Sequence, residues 1–522
     1  MSLSIAPSIL NSTAKCGSFG VSKNALQFVT CPGGGEGRKL VHHPKVNAVI
    51  LTGGTETARG LLRENARLNL FAETGGKNAT IVTALADRDQ AIKHILHSAF
   101  SHAGQKCSAT SLLLLEGEVY DDRAFRRTLC EAVQSIPVGS AWKLETKMGP
   151  LIRPPAGDLE NALKVLEPGE EWAVMPQNIG GNPRLWTPGV KYGVQAGSYT
   201  HLTEFFGPLL GVMRFDKLSE GVALVNQTGY GLTSGLESLD EREWEYWKEN
   251  VRAGNLYINR VTTGAVVLRQ PFGGSGKSCF GPGLKAGGPN YAAQFMEMED
   301  GAAAKPVRTP QDAALAGLCE ALRRRAGELG AGGAALADRI AVAAVSYERS
   351  FQEEFGQEHD HFQLVGQDNF RRYRPFREVR VRVHADDSAF DLFARVCAAH
   401  ATGSRVTVSG PKDFAPPALK LLEEITESWA GAIEFVEETE EELAEVVRQR
   451  QTDRVRCAAP GRVSQAVLEA AGESGICVAA RPVLMEGRVE LLWYLEEQSV
   501  SIDFHRYGNL GMRAGEQRAA VL

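Results

Sequence analysis

The chain has 522 residues, 43% of them hydrophobic and 23% charged, a length that divides into about three domains of ordinary size. A formal net charge of −6 offers no basic face to nucleic acid, and no apolar run reaches the roughly 18 residues needed to span a bilayer. Nine cysteines, scattered without a Cys-x-x-Cys pair or a Cys/His cluster at zinc spacing, argue against a disulfide framework and a zinc module, so no metal site is expected.

The opening residues, MSLSIAPSILNSTAKCGSFG, lack the basic region and sustained apolar core of a signal peptide, and a cytoplasmic location is expected. Residues 47–52 (NAVILT) form a short apolar run that stops at Gly53-Gly54 and enters a helical stretch at 55–66. Residues 68–72 (LNLFA) and 79–83 are further buried-strand candidates. Between 87 and 103 apolar side chains recur at Ile92, Ile95, Leu96, Ala99 and Phe100, the spacing of an amphipathic helix. Gly104-Gln105-Lys106 breaks it, and 110–115 (TSLLLL) resumes as a strand. This alternation predicts an α/β fold, a mostly parallel sheet with crossover helices.

After Met298 the composition shifts, and 301–310, rich in Ala, Gly and Pro, reads as a linker. The run Arg323-Arg324-Arg325 reads as a solvated helix face. Strand-like segments at 378–384, 405–409, 433–436, 454–458 and 476–479 alternate with helical patterns at 390–399, 417–427, 440–449 and 463–471. That is a second α/β unit with Rossmann-like rhythm but no glycine-rich phosphate loop after a strand. Thr439 and Glu442 have capping-box spacing, so the acidic run at 437–442 reads as a helix start rather than a metal site.

The chemistry gathers in three segments: FAETGGKN at 71–78, SHAGQKCSAT at 101–110 and TEFFGP at 203–208. Cys107 follows a helix end and a turn, with Lys106 beside it, and a thiolate is the strongest side-chain nucleophile near neutral pH once activated. A lone cysteine is more often a small buried hydrophobe. Glu73 follows an apolar strand and precedes Gly75-Gly76, at the strand end where doubly wound sheets take their ligands; partial burial there raises a carboxyl toward general-base duty. Alone it reads as well as a turn cap, so the case rests on the set.

The set resembles the aldehyde dehydrogenase superfamily. FAETGGKN is similar to its glutamate signature, SHAGQKCSAT to its cysteine signature and TEFFGP to its EEIFGP box, in the same order, and the likeness runs from about residue 26 to 298. The resemblance implies Cys107 as the nucleophile that forms a thiohemiacetal and then a thioester, and Glu73 as the base that activates the hydrolytic water. The Cys107 backbone N–H would supply half of an oxyanion hole. Thr52–Thr57 (TGGTET) is similar to the family segment whose helix N-terminus faces the cofactor pyrophosphate, with Gly54 where a serine is usual. By the same resemblance Gly53, Gly54, Thr57, Thr74, Glu204 and Phe206 are cofactor-facing positions. Glu204 would hold the nicotinamide ribose, Phe206 would pack near the ring, and the cofactor would be NAD.

Residues 259–276 (NRVTTGAVVLRQPFGGSG) are similar to the substrate loop of L-glutamate-γ-semialdehyde (pyrroline-5-carboxylate) dehydrogenases. That likeness implies Ser108, Gly264 and Ala265 on the substrate's α-carboxylate and Phe272 against its aliphatic part. Residues 351–375 and 504–511 resemble the C-terminal region of long, bifunctional proline utilization A proteins, whose extra domain is not catalytic. The expected organisation is a partial NAD-binding domain at 1–74, a catalytic domain at 75–258, and the substrate loop with the return to the NAD-binding and oligomerisation region at 259–300. A linker and helix follow at 301–340, then a C-terminal α/β domain at 341–522.

Against that family the chain starts late. The stretch supplying the first strands of the nucleotide-binding domain, a ribose-binding lysine and an oxyanion-hole asparagine has no counterpart before residues 26–31. Expected partners are a small-molecule substrate, a proline dehydrogenase or the missing N-terminal part, and further copies of the chain as a homo-oligomer. Two readings of function follow: the dehydrogenase half-site for glutamate semialdehyde oxidation, or an inactive remnant contributing a covering domain or an oligomer interface. A CoA-acylating dehydrogenase is disfavoured, because thiol exchange has no use for Glu73.

Overall fold

Apolar runs closed by glycine or polar turns become strands in the computed structural model, which describes residues 20, 22, 24–31, 35–301, 308–414 and 416–519. All but Gly20 of the opening twenty residues, and 302–307 of the expected linker, lie outside the described residues. In chain order the strands are β1 (Val49–Thr52), β2 (Leu70–Glu73), β3 (Asn78–Val82), β4 (Thr110–Glu116), β5 (Glu171–Val174), β6 (Gly189–Tyr192), β7 (Leu209–Phe215), β8 (Thr233–Glu237) and β9 (Asn255–Ile258). They continue with β10 (Cys279–Phe280), β11 (Gln367–Pro375), β12 (Glu378–Arg382), β13 (Arg405–Gly410), β14 (Ile433–Glu437), β15 (Arg454–Cys457), β16 (Val478–Ala480) and β17 (Leu495–Asp503).

Three sheets result. A small one, ordered β1-β2-β10, pairs β2 parallel to β1 and antiparallel to β10. Helix Thr55–Glu64 covers it, burying Ala58 and Leu61 against Leu70, Ala72 and Phe280. The large sheet runs β11-β17-β9-β8-β3-β4-β7-β6-β5, parallel except at its two ends. Its centre is β3, β4 and β8, where Ile81, Leu112, Leu114 and Leu236 are fully buried. Helix Arg88–Phe100 packs on it; Asp87 caps that helix by accepting from the Gln90 N–H at 3.2 Å.

The third sheet, β14-β13-β12-β15-β16, is wholly parallel. Its order is 3-2-1-4-5 in local count, the doubly wound arrangement. Thr439 and Glu442 form the expected capping box. At the switch point beyond β12 and β15, Arg395 fills the crevice: it donates to the Arg382 carbonyl at 2.7 Å and the Arg456 carbonyl at 3.0 Å, and pairs with Asp387. Arg462 closes on the same Asp387 at 2.6 Å.

β11 and β17, which the sequence pattern does not announce, leave this unit and join the large sheet. They pair antiparallel with each other along nine residues, and β17 runs parallel to β9. The segment carrying the Rossmann-like unit thus supplies one edge of the sheet that holds the candidate site.

Candidate active site

Glu73 ends β2. Leu70, Phe71 and Ala72 bury its strand, and the next residues turn away through Gly75 and Gly76, so the carboxylate projects from the strand's carboxyl end. Its Oε2 accepts the Gly274 N–H at 3.1 Å. Burial pushes the carboxyl up to about 7, while the Lys285 ammonium and the Gly274 amide pull the other way. A group poised there is half ionised at neutral pH, which suits a general base.

Cys107 sits on the turn between helix Arg88–Phe100 and β4. His102, Ala103 and Gly104 all take left-handed φ, at 56°, 56° and 66°. A Cβ on Gly104 would lie 2.2 Å from the Gly207 carbonyl oxygen, so glycine is required where the cysteine segment meets TEFFGP. Asn78, first residue of β3, fastens the turn: its Nδ2 donates to the carbonyls of Cys107 (2.6 Å) and Ala109 (3.0 Å), and its Oδ1 accepts the Thr233 N–H at 3.0 Å. Thr233 and Thr262 hydroxyls both donate to the Ser108 carbonyl, at 3.3 and 3.1 Å. Burial pushes the Cys107 thiol up; Lys106 and nearby backbone amides oppose this, and Glu204 adds to it. Such a thiol needs a proton acceptor before it attacks.

Glu204 is mostly buried, with Oε1 accepting the Gly76 N–H at 3.0 Å, and burial raises its carboxyl. A Cβ on Gly75 would collide with its Oε2 at 1.8 Å. Lys77 is 2% exposed, with its Nζ 4.3 Å above the Phe205 ring and no hydrogen-bond partner. Burial pushes that ammonium down to about 7, against the pull of Glu204. Thr55 and Thr74 clasp one acceptor, the Lys277 carbonyl, at 2.9 and 2.7 Å. Gly53, Gly54 and Thr57 lie exposed at the start of helix Thr55–Glu64, and Phe206 is 41% exposed.

These groups fit a dinucleotide. A helix N-terminus with two exposed glycines can receive a pyrophosphate, and a carboxylate fixed by a backbone amide over a side-chain-free Gly75 can accept ribose hydroxyls. The 259–276 loop is tied down at both ends. Thr262 N–H donates to Ser98 Oγ at 3.1 Å, and Phe272 bridges Ala286 through backbone bonds of 2.9 Å each. Ser108 is 2% exposed, Phe272 is half-buried, and Gly264 (φ 91°) and Ala265 are exposed. Thr262, two residues before Gly264, joins the start of this loop to Ser108. Among the described residues no group of three or more His, Cys, Asp or Glu could hold a metal, and no helix is long and apolar enough to cross a membrane.

A family model, the aldehyde dehydrogenase family, matches residues 6–300. The chain belongs to that family. The chain is similar to the bifunctional protein PutA of Escherichia coli, 34% identical over 312 residues, covering 56% of this chain and 23% of that one. It is 32% identical over 288 residues to a 1-pyrroline-5-carboxylate dehydrogenase of Bacillus cytotoxicus, covering 53% of this chain and 55% of the other. The structure of proline utilization A from Corynebacterium freiburgense superposes with a TM-score of 0.75 at 36% identity, covering 94% of this chain and 45% of that one. The chain thus spans about half or less of the relatives it matches.

Sequence reasoning missed Asn78, Gly104, Lys77 and Lys285 as parts of the candidate site. Asn78 and Lys77 lie inside FAETGGKN, and Gly104 inside SHAGQKCSAT. The motifs held the signal, but the contacts that give these residues a role are visible only in three dimensions.

Proposed function

We propose that this chain carries the catalytic half-site for NAD-linked oxidation of L-glutamate γ-semialdehyde to L-glutamate, with Cys107 as nucleophile and Glu73 as base. The supporting observation is the grip of Asn78 on the Cys107 carbonyl. It fastens the Cys107 backbone to the first residue of β3, five residues after Glu73, so one short segment of chain ties the nucleophile's turn to the base. The name of the Bacillus relative, a 1-pyrroline-5-carboxylate dehydrogenase, supports the substrate class.

The sulfur of Cys107 would bond to the aldehyde carbon as the C=O π bond breaks and the thiol proton passes to the oxygen, giving a thiohemiacetal. Gly53, Gly54, Thr57, Thr74, Glu204 and Phe206 would hold NAD, whose nicotinamide supplies a two-electron hydride acceptor. Loss of the C–H hydride, with the hydroxyl proton released to solvent, would leave a thioester on Cys107. Glu73 then takes a proton from water, the hydroxide carbon bond forms, the C–S bond breaks and glutamate leaves. Ser108, Gly264 and Ala265 would receive the α-carboxylate, and Phe272 the methylenes. A proline dehydrogenase, on the same or another polypeptide, would supply the substrate, and the expected setting is cytoplasmic.

NADH formation by the purified chain with pyrroline-5-carboxylate, beside Cys107→Ala, tests this. Turnover lost in the variant supports the reading. A folded, NAD-binding chain without turnover, or release of an acyl-CoA instead of glutamate, sinks it.

A further inference from the structure

Glu73 meets its main counter-charge from an unexpected quarter. Lys285 is 0% exposed, and its Nζ donates to the Gly274 carbonyl at 2.8 Å. The N–H of the same residue donates to Glu73. A Cβ on the neighbouring Gly273 would stand 2.8 Å from Glu73 Oε1 and 2.9 Å from Lys285 Cδ. The two side chains therefore approach within about 6 Å, the range over which an opposite charge favours an ionised carboxyl.

The lysine is itself anchored. Its backbone N–H donates to Glu497 Oε2 at 2.7 Å, and Glu497 lies on β17, 1% exposed. The other oxygen of Glu497 accepts from Asn290, which also donates to Tyr373 of β11 at 2.7 Å. Gly254 leaves room for the ammonium, since a Cβ there would fall 2.5 Å from Nζ. The other titratable groups facing Glu73 are Cys279, its partner across β2 and β10, and Tyr291. Burial pushes both of those up, so each is neutral near pH 7. Among the described residues Lys285 is the one cation acting on the base.

We propose that Lys285 is a positioning residue for Glu73. Its ammonium is held on the Gly274 carbonyl while Glu497 of β17 fixes its backbone N–H; so placed, it aims the Gly274 peptide at the carboxylate and keeps that carboxylate available to take a proton from water. The inference rests on the reading of Glu73 as the base. It adds that the far C-terminal strand, 424 residues downstream by position, sets the chemistry of the hydrolytic step.

The test is an infrared pH titration of the Glu73 carboxyl in the full chain, each spectrum read against the same protein carrying Glu73→Gln. In Lys285→Met the midpoint should rise by one unit or more, and Lys285→Arg should hold it near the wild-type value. Glu497→Leu keeps the ammonium but removes the acceptor of the Lys285 backbone N–H; it should raise the midpoint by a smaller amount, and it serves if Lys285→Met fails to fold. A midpoint unmoved in whichever of these two variants folds overturns the proposal. Thioester hydrolysis persisting in Glu73→Gln would instead overturn the base reading, so the two failures are distinct.

Discussion

Replacing Glu73 by Gln should stabilise the protein, and only on one side of neutrality. The folded chain raises this carboxyl from 4.5 to about 7. A carboxyl raised by folding prefers its proton in the native state, so its cost is absent below the unfolded value, grows as pH climbs through the interval and is complete above the folded value. A rise of that size is worth about 3 kcal/mol. Gln matches the shape of the carboxyl, can still accept the Gly274 N–H and carries no charge to bury. Urea unfolding at pH 5 and pH 8.5, extrapolated linearly, should therefore show the variant ahead of the wild type by less than about 1 kcal/mol at the lower pH and about 3 kcal/mol at the higher. The same variant should form the thioester but hydrolyse it slowly. A stability gap of equal size at both pH values would refute the reasoning, because a packing change carries no such pH dependence.

Glu204→Gln should lower the Cys107 thiol, since Glu204 is one of the groups that raises it. Iodoacetamide labelling of Cys107 at pH 8, followed by peptide mass spectrometry, should run faster in the variant. Asn78→Ala leaves the Thr233 N–H and two carbonyls without their partner. A loss of about 2–4 kcal/mol in chemical denaturation is expected, together with faster Cys107 labelling as the loosened turn exposes a thiol that burial raises. Lys77→Met removes an ammonium that burial pushes down to about 7. That cost is full below pH 7 and gone above about 10.5, so the variant should gain a few kcal/mol at pH 6 and none at pH 10.5, as read from urea midpoints.

The first α/β stretch was legible because its strands are plain apolar runs stopped by glycine, as in 47–52 and 110–115. β8 hid from the same reading: Thr233 and Ser234 are polar yet buried, their hydroxyls bonded to the Ser108 and Ala79 carbonyls. β11 hid more thoroughly. Its Arg371 and Arg372 are 4% and 9% exposed, offset by Glu354, Gln498 and Glu249. Charge in a linear sequence reads as surface until its partner is known. Cys107 and Glu73 could be read because short motifs carry them. Lys285 could not, since its two decisive bonds reach Gly274, in the loop before it, and Glu497, more than two hundred residues after it.

Pro375 pairs with Leu495 at the far end of the β11–β17 ladder, and the whole five-stranded unit lies between them. Topologically that unit is the tip of an enormous hairpin. Were its roughly 120 residues unstructured, closing the stem would cost about 4 kcal/mol in chain entropy; folded first, the unit delivers both strands already side by side. Assembly of the catalytic sheet's edge therefore waits on a domain that contains none of the reacting groups. A lesion deep in the Rossmann-like unit can then reach Glu73 through Glu497 and Lys285, with every residue around that carboxyl unchanged.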